Sequence, residues 1–316
     1  MCGLAVPNRD SRQPTAFPSD DVSCAATIPS RIGLIAGWGD YPILLARTLH
    51  ERGVAVFGLG VRGHADPVIR DYCRKFGWIG LGQLGRAVRF FRRHGVAHAA
   101  MAGKIHKVIL FQRWAWLRHL PDGYGLRTFA PHFLLRAKDN RDDSLLGTVC
   151  EAFARRGIRM YPATDFVPEV LVEPGVLTRR QPTAAQWQDI AFGWRIAKEM
   201  GRLDIGQTVV VKDLAVLAVE AIEGTDACIL RAGELCGAGG FTVVKVAKPQ
   251  QDMRFDVPTI GMNTVRNVAA GRGAVLAVEA QKTIFLHRRD VLDHADANGV
   301  ALVALGGSWA KALGGS

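Results

Sequence analysis

Residues 32–60 constrain the fold of this chain more than any other stretch. IGLIAG (Ile32 to Gly37) is a short apolar run ending in glycine, WGDYP is a tight turn, and ILLARTLHERG has helical spacing. VAVFGLG (Val54 to Gly60) is a second apolar run. Strand, turn, helix and strand in so few residues make a βαβ unit, which demands parallel pairing and a right-handed crossover. The pattern recurs. A helix over Gln83 to His94 leads to a strand over Ala97 to Met101, and one over Asp143 to Arg156 leads to Ile158 to Tyr161. Alternation of this kind predicts a doubly wound α/β domain from Arg31 to Phe166.

The turns of this domain carry its chemistry. GWGDYP shares two glycines with the dinucleotide fingerprint but lacks the third, and Asp66 falls beyond the tip of the second strand. Pro42 at the helix start is well tolerated. Gly37 and Gly39, opening a helix at the carboxyl end of a strand, suit a phosphate or a sugar; a purely structural turn uses the same residues. MAGKIHK exits another strand, so Gly103 permits close approach and Lys104 emerges on the same sheet edge. RWAWLRHLPDGYG reads either as a helix with buried tryptophans and snorkelling arginines or as a surface for membrane or acyl chains. Asp142 and Asp143 suit a helix start, as cap and dipole partner.

PEVLVEPGVLT connects to a second domain, residues 167–305. Gln181 to Gly201 reads as a long amphipathic helix with Trp187, Ile190, Trp194 and Ala197 on one face. Thr208 to Val211 and Ala215 to Glu220 predict paired strands joined near Lys212 and Asp213. Gly224 turns the chain, and Thr225 or Asp226 caps a helix running to Leu235. Alternatively Glu220, Glu223, Thr225 and Asp226 form a polar cluster at a strand end. A helix over Asn263 to Gly271, a strand over Ala274 to Glu279, its hairpin partner Thr283 to Leu286 and a helix over Arg288 to Asn298 complete the layer. Glu279, leaving its strand beside Gln281 and Lys282, is expected to join the cleft. Residues 1–30, rich in Pro, Ser, Asp and Thr, read as a disordered extension without a signal peptide, and 306–316 as a frayed tail.

The densest chemistry lies in KVAKPQQDMRFDVPTIG, Lys245 to Gly261. Phe241 to Val246 suits a buried strand, after which Pro249 and Pro258 forbid regular structure. Lys248, Gln251, Asp252, Arg254 and Asp256 therefore sit on an irregular loop held by a rigid strand, the usual seat of function. Lys245, Lys248 and Arg254 suit phosphate oxygens. Asp252 and Asp256 suit a divalent cation or a positioned water. The plainer alternative is a loop whose charges pair with one another.

Composition excludes several classes. With 40 Lys and Arg against 29 Asp and Glu, the formal charge is +11, which favours an anionic partner: phosphorylated metabolite, acidic membrane surface or nucleic acid. No dense basic tract interleaved with aromatics supports nucleic acid. No run reaches the length of a membrane span. The six cysteines include no CxxC pair and the nine histidines do not cluster, so neither a zinc site nor a disulfide framework is expected. The reading is of a cytoplasmic protein.

IGLIAGxGxxP, the ADP at Ala65 to Pro67, DDSLL, GRLDIGQ, VLAVEAIEGTDA, VAKP-Q-RFDVPTIG and the AVEA strand together resemble the LpxI family, UDP-2,3-diacylglucosamine pyrophosphatases of lipid A biosynthesis. The resemblance runs from Ile32 to Ala304. It implies an N-terminal Rossmann-like parallel-sheet domain, a C-terminal catalytic α/β domain of distinct topology, and a ligand between them. It also implies cleavage of the UDP-sugar diphosphate to UMP and 2,3-diacylglucosamine 1-phosphate, transiently at the inner-membrane surface, with Mg2+ as the ion. The family's catalytic aspartate falls on Asp256. Asp226, Asp252 and Glu220 are then candidate ion ligands or water-orienting groups. Substrate contacts are expected from Gly37, Gly39, Gly103, Lys104, Thr225, Lys245, Lys248, Gln251 and Arg254. Two residues depart from the family: Trp38 is bulky in the glycine turn, and Leu214 stands where a glycine is usual. No GDxHG and GNHE pair and no Nudix helix is present. A non-catalytic nucleotide-sugar or acyl-lipid binding protein is the alternative, a dinucleotide-dependent oxidoreductase is disfavoured by the missing glycine, and homo-oligomerisation is left open.

Overall fold

The computed structural model describes residues 28–105, 119–134, 142–306 and 309, with backbone alone for 130–134 and 142–145. Most of the proposed extension and tail, the segment 113–118 and the side chains of Asp142 and Asp143 thus lie outside the described residues. In the first half, β1 (Arg31–Ala36), α1 (Asp40–Glu51) and β2 (Ala55–Val61) form the expected βαβ unit. β3 (Lys75–Ile79), α2 (Leu84–Arg93), β4 (His98–Ala102), α3 (Gly123–Leu134), α4 (Asp142–Ala154) and β5 (Arg159–Tyr161) follow. Among the described residues these strands build one all-parallel sheet in the order β3-β2-β1-β4-β5. The strand order reverses between β1 and β4, and at such a reversal the crevice beyond the carboxyl ends of the strands is the natural ligand site. Each face is apolar and covered: α1 packs Leu45, Leu49 and Tyr41 on one, while Phe91 of α2 and Phe153 of α4 fill the other.

The second half contains β6 (Gly175–Val176), α5 (Ala184–Arg202), β7 (Thr208–Lys212), β8 (Ala215–Val219), α6 (Thr225–Leu235), β9 (Thr242–Lys245), β10 (Thr259–Ile260), α7 (Met262–Ala270), β11 (Val275–Glu279), β12 (Ile284–Phe285), α8 (Arg288–Ala297) and β13 (Ala301–Leu305). Its main sheet has the order β6-β13-β11-β9-β7-β8. The three strands β13, β11 and β9 pair in parallel, and β6, β7 and β8 each join through antiparallel pairing. The buried strands β9, β11 and β13 are near-continuous Val, Leu and Ala, as strands covered on both faces require. Trp194, Ile190 and Ala197 of α5 seal one face; α6, α7 and α8 seal the other. A Thr183–Gln186 capping box starts α5.

Two expectations are corrected. Thr283 to Leu286 is not the hairpin partner of β11, because both edges of β11 are taken by β9 and β13. The chain leaves that sheet through Gln281, in the left-handed region at φ 59°, and β12 pairs instead with β10, in parallel. Nor does a side chain cap α6: Gly224 is its N-cap, with no side-chain cap hydrogen bond. Thr225 Oγ1 donates to Glu220 Oε1 at 3.0 Å instead. The pattern also missed β3, β6 and β13, although ALVAL between Gly299 and Gly306 is an apolar run bounded by turn residues.

The departure at Leu214 has a local explanation. Asp213 and Leu214 both have positive φ, 50° and 61°, so the β7–β8 connection is a two-residue hairpin of the kind that favours Asn-Gly or Asp-Gly. Buried Asp189 holds it from α5, accepting from Asp213 N at 3.2 Å and Leu214 N at 2.7 Å. A leucine in this region costs roughly 1–2 kcal/mol. Leu214→Gly is therefore expected to raise stability by about 1 kcal/mol in urea unfolding; an unchanged or lower midpoint contradicts this assignment of strain.

Candidate active site

The glycine turns meet where the strand order reverses. Gly37 N donates to Ala102 O at 2.8 Å, and Trp38 and Lys104 exchange backbone hydrogen bonds of 2.8 and 2.9 Å. The approach leaves no room for side chains. A Cβ on Gly37 would sit 2.7 Å from Lys104 O, and one on Gly103, at φ 91°, 2.7 Å from Pro42 Cγ. This brace holds Lys104 at the mouth of a cleft of about 690 Å³, a volume typical of small-molecule sites.

Both halves line that cleft. Gly39, Asp40, Tyr41, Gly103 and Lys104 come from the first; Asp226, Arg254, Asp256 and Thr259 come from the second. Two helix N-termini border it, α1 after Gly39 and α7 after Gly261, neither closed by a side-chain cap. Uncapped N-termini present backbone N–H groups and positive dipole ends, a ready anion site. Asp256, bracketed by prolines, lines the same cleft from the second half. The halves touch across the opening, where His287 Nε2 lies 3.1 Å from Asp40 Oδ2.

Lys245 is buried behind Thr259, whose carbonyl accepts its Nζ at 3.1 Å. Burial and the like charge of Lys104 push its ammonium below the ordinary lysine range, against the pull of Glu220, Asp226 and Asp256. One buried cation therefore senses three carboxylates and the mouth lysine at once. Glu220 itself is buried and hydrogen-bonded to Thr225 Oγ1 and Gln207 N, away from the cleft lining. Thr225 likewise does not line it.

The rest of the loop does different work. Arg254 Nε donates to both Asp252 oxygens, at 2.9 and 3.0 Å, and its Nη2 lies 2.5 Å from Oδ2, the internally paired arrangement. Lys248 Nζ is 2.6 Å from Asp204, and Gln251 Oε1 accepts Lys248 N at 2.8 Å. Asp252, Lys248 and Gln251 thus shape the loop without lining the cleft that holds Asp256. Glu279 does not join the cleft either. It is buried, accepting from Lys198 Nζ at 2.5 Å, Lys282 Nζ at 3.0 Å and Ala247 N at 2.9 Å. It pins the start of the loop to the end of β11.

A larger groove of about 1070 Å³ runs between edge strand β5 and Gln250 to Arg254, meeting the first cleft at Met253 and Arg254. It contains neither Asp256 nor Lys104. The smaller cleft is the one that brings Lys104 and the two helix N-termini together with Asp226 and Asp256. Sequence reasoning missed Tyr41, His64 and His287 among its lining residues. The Tyr41 hydroxyl is buried with no hydrogen-bond partner among the described residues, and burial raises its pKa so that it stays protonated. Only the tyrosine in WGDYP gave any signal.

The Arg254 fork holds the Asp252 carboxyl below the usual carboxylate range. A folded pKa below the unfolded value near 3.9 contributes stability above that pH and loses it as pH falls through the folded pKa. Wild type is therefore expected to be more stable than Asp252→Asn at neutral pH, with the difference shrinking below about pH 4. A constant difference down to acid unfolding rules this out.

Comparison with known proteins identifies the family. Residues 31–170 match the LpxI N-terminal domain and residues 173–303 the LpxI C-terminal domain. The chain is 32% identical over 282 residues to the UDP-2,3-diacylglucosamine pyrophosphatase LpxI of Caulobacter vibrioides, an alignment covering 87% of this chain and 97% of that protein. With both domain models matched in order on either side of the cleft that holds Asp256, this chain belongs to the LpxI family.

Proposed function

We propose that the protein hydrolyses the diphosphate bond of UDP-2,3-diacylglucosamine, releasing UMP and 2,3-diacylglucosamine 1-phosphate. The observation that carries this reading is the cleft itself. A carboxylate, Asp256, shares the cleft with the uncapped N-terminus of α7 from its own half and, across the junction, with Lys104 and the uncapped N-terminus of α1. Diphosphate cleavage needs charge neutralised on the phosphoryl oxygens and a water aligned opposite the leaving group. The α1 and α7 N-termini, Lys104 and Arg254 provide the first. Asp256 provides the second, as a general base or as a ligand of the ion that activates the water. The strand order supports a Rossmann-like reading of the first half, with the diphosphate at the β1/β4 reversal. The neighbouring groove extends the space available to the lipid part.

The residues present suit Mg2+ in a limited way. Among the described residues, no three His, Cys, Asp or Glu side chains form a cage. Mg2+ is commonly held by one or two carboxylates plus substrate phosphates, and Asp226 and Asp256 line the cleft together. Those two residues would hold it; Asp252, committed to Arg254, and Glu220, committed to Thr225 and Gln207, fit less well. When bound, the ion would offset charge on the diphosphate. A diacylated substrate and product support a reaction at a bilayer. We therefore read the protein as cytoplasmic and peripheral to the inner membrane; no helix of the described residues is long and apolar enough to cross one.

Asp256→Ala is expected to lower UMP release by about 100- to 10,000-fold, while binding of the UDP-sugar, measured by calorimetry, persists. Full turnover in the alanine variant would remove Asp256 from the chemistry. Binding without turnover in the wild type would leave a binding protein.

A further inference from the structure

We infer that the outer face of the first half, made by α2 and the beginning of α3, is the surface on which the protein rests against an anionic lipid bilayer. The choice of a bilayer rests on the lipid substrate proposed above; the surface itself rests on independent observations.

The sequence of α2, LGRAVRFFRR, contains no acidic residue. Its Leu84, Ala87, Val88 and Phe91 are buried in the core, which turns Arg86, Arg89, Arg92 and Arg93 outward, all exposed. None of the four has an ion-pair partner among the described residues. Other exposed arginines, such as Arg288 and Arg289 of α8, are also without an ion pair among the described residues, but that helix carries Asp290, Asp293 and Asp296; four arginines on a helix with no acidic residue distinguish α2.

Exposed apolar side chains lie beside the row. Leu120 is 45% exposed and Leu126 58%, and exposed Arg127 follows directly. Asp122 ties this segment to the start of α2. Its Oδ1 accepts from Gly85 N at 3.1 Å and Gly125 N at 2.8 Å, and its Oδ2 from Arg86 N at 2.8 Å. The two leucines are thus fixed next to the first arginines rather than scattered. Because α2 begins just beyond the carboxyl end of β3, and the sheet is parallel, this end of the patch shares the sheet edge that carries Gly39 and Lys104.

Cations beside exposed leucines combine the two contributions that stable peripheral binding requires, attraction to anionic head groups and burial of apolar surface at the acyl boundary. A nucleic-acid face would instead need stacking aromatics among the cations, and Phe90 and Phe91 of this helix turn toward the core. Docking on this face would bring the cleft edge close to the membrane from which a diacylated substrate must be drawn.

Flotation of the full chain with phosphatidylcholine vesicles, with and without phosphatidylglycerol, tests this. Wild type is expected to float only with the anionic vesicles and to be released by salt. Arg89→Gln/Arg92→Gln/Arg93→Gln should weaken that binding by roughly a hundredfold, about fivefold per charge, and Leu126→Ser by about tenfold. Arg288→Gln/Arg289→Gln on α8 should change nothing. All variants should release UMP normally from substrate dispersed in neutral detergent. Undiminished flotation of the triple variant, equal binding to neutral vesicles, or binding of duplex RNA in place of vesicles overturns the proposal. If the triple variant misfolds, Arg89→Gln alone decides, an unchanged affinity being the contrary result. Anionic flotation without any UMP release would keep the surface and discard the hydrolase.

Discussion

The site depends on a very short parallel pair. Thr259–Ile260 and Ile284–Phe285 hydrogen-bond to each other, and Ile284 is buried in the apolar cluster beneath β1 and α1 of the first half, with Val257 and Leu286 packed at its margin. Asp256 precedes Val257 directly. Its position is therefore set by the first half's core as much as by its own sheet. Ile284 N donating to Pro258 O at 2.7 Å closes the loop just beyond the carboxylate. A proline without an N–H loses nothing there, since its carbonyl is the group in use.

The electrostatics follow from that placement. Each half brings charge to the cleft that it could not settle alone: Lys104 and a helix N-terminus from one, Asp226 and Asp256 from the other. Lys245, buried and below the ordinary lysine range, sits behind them and couples the carboxylates to the sheet. By contrast two ion pairs, Asp252 with Arg254 at the edge of the cleft and Glu279 with Lys198 outside it, are closed within the second half. They stiffen the loop at both ends and leave Asp256 as the member that faces the junction.

Much of this was legible in the chain. Gly103 announces close approach, and the structure brings its strand exit into hydrogen-bond contact with that of Gly37. Asp256 stands out because two prolines forbid regular structure around it, and it lies in the cleft. Other features were not legible, for definable reasons. A two-residue strand such as Thr259–Ile260 has no periodicity to read, so the pairing of Ile284–Phe285 was assigned to the wrong neighbour. Thr225 looks like a cap because caps and ligand-holding hydroxyls use the same residue types; here it serves Glu220. Glu279 looks like a cleft residue because a strand-end carboxylate is ambiguous until its partners, Lys198 and Lys282, are known. Tyr41, His64 and His287 are far apart in sequence and meet only once both halves are folded.

The central claim is one of location: the diphosphate is held between the glycine brace of one half and Asp256 of the other. A crystal structure of the Asp256→Asn variant with its UDP-sugar tests it most directly. The account predicts the two phosphates lying against Gly39, Gly103 and Lys104 with residue 256 facing them. Phosphates found in the wider groove between β5 and Gln250 to Arg254, with the first cleft empty, would contradict it.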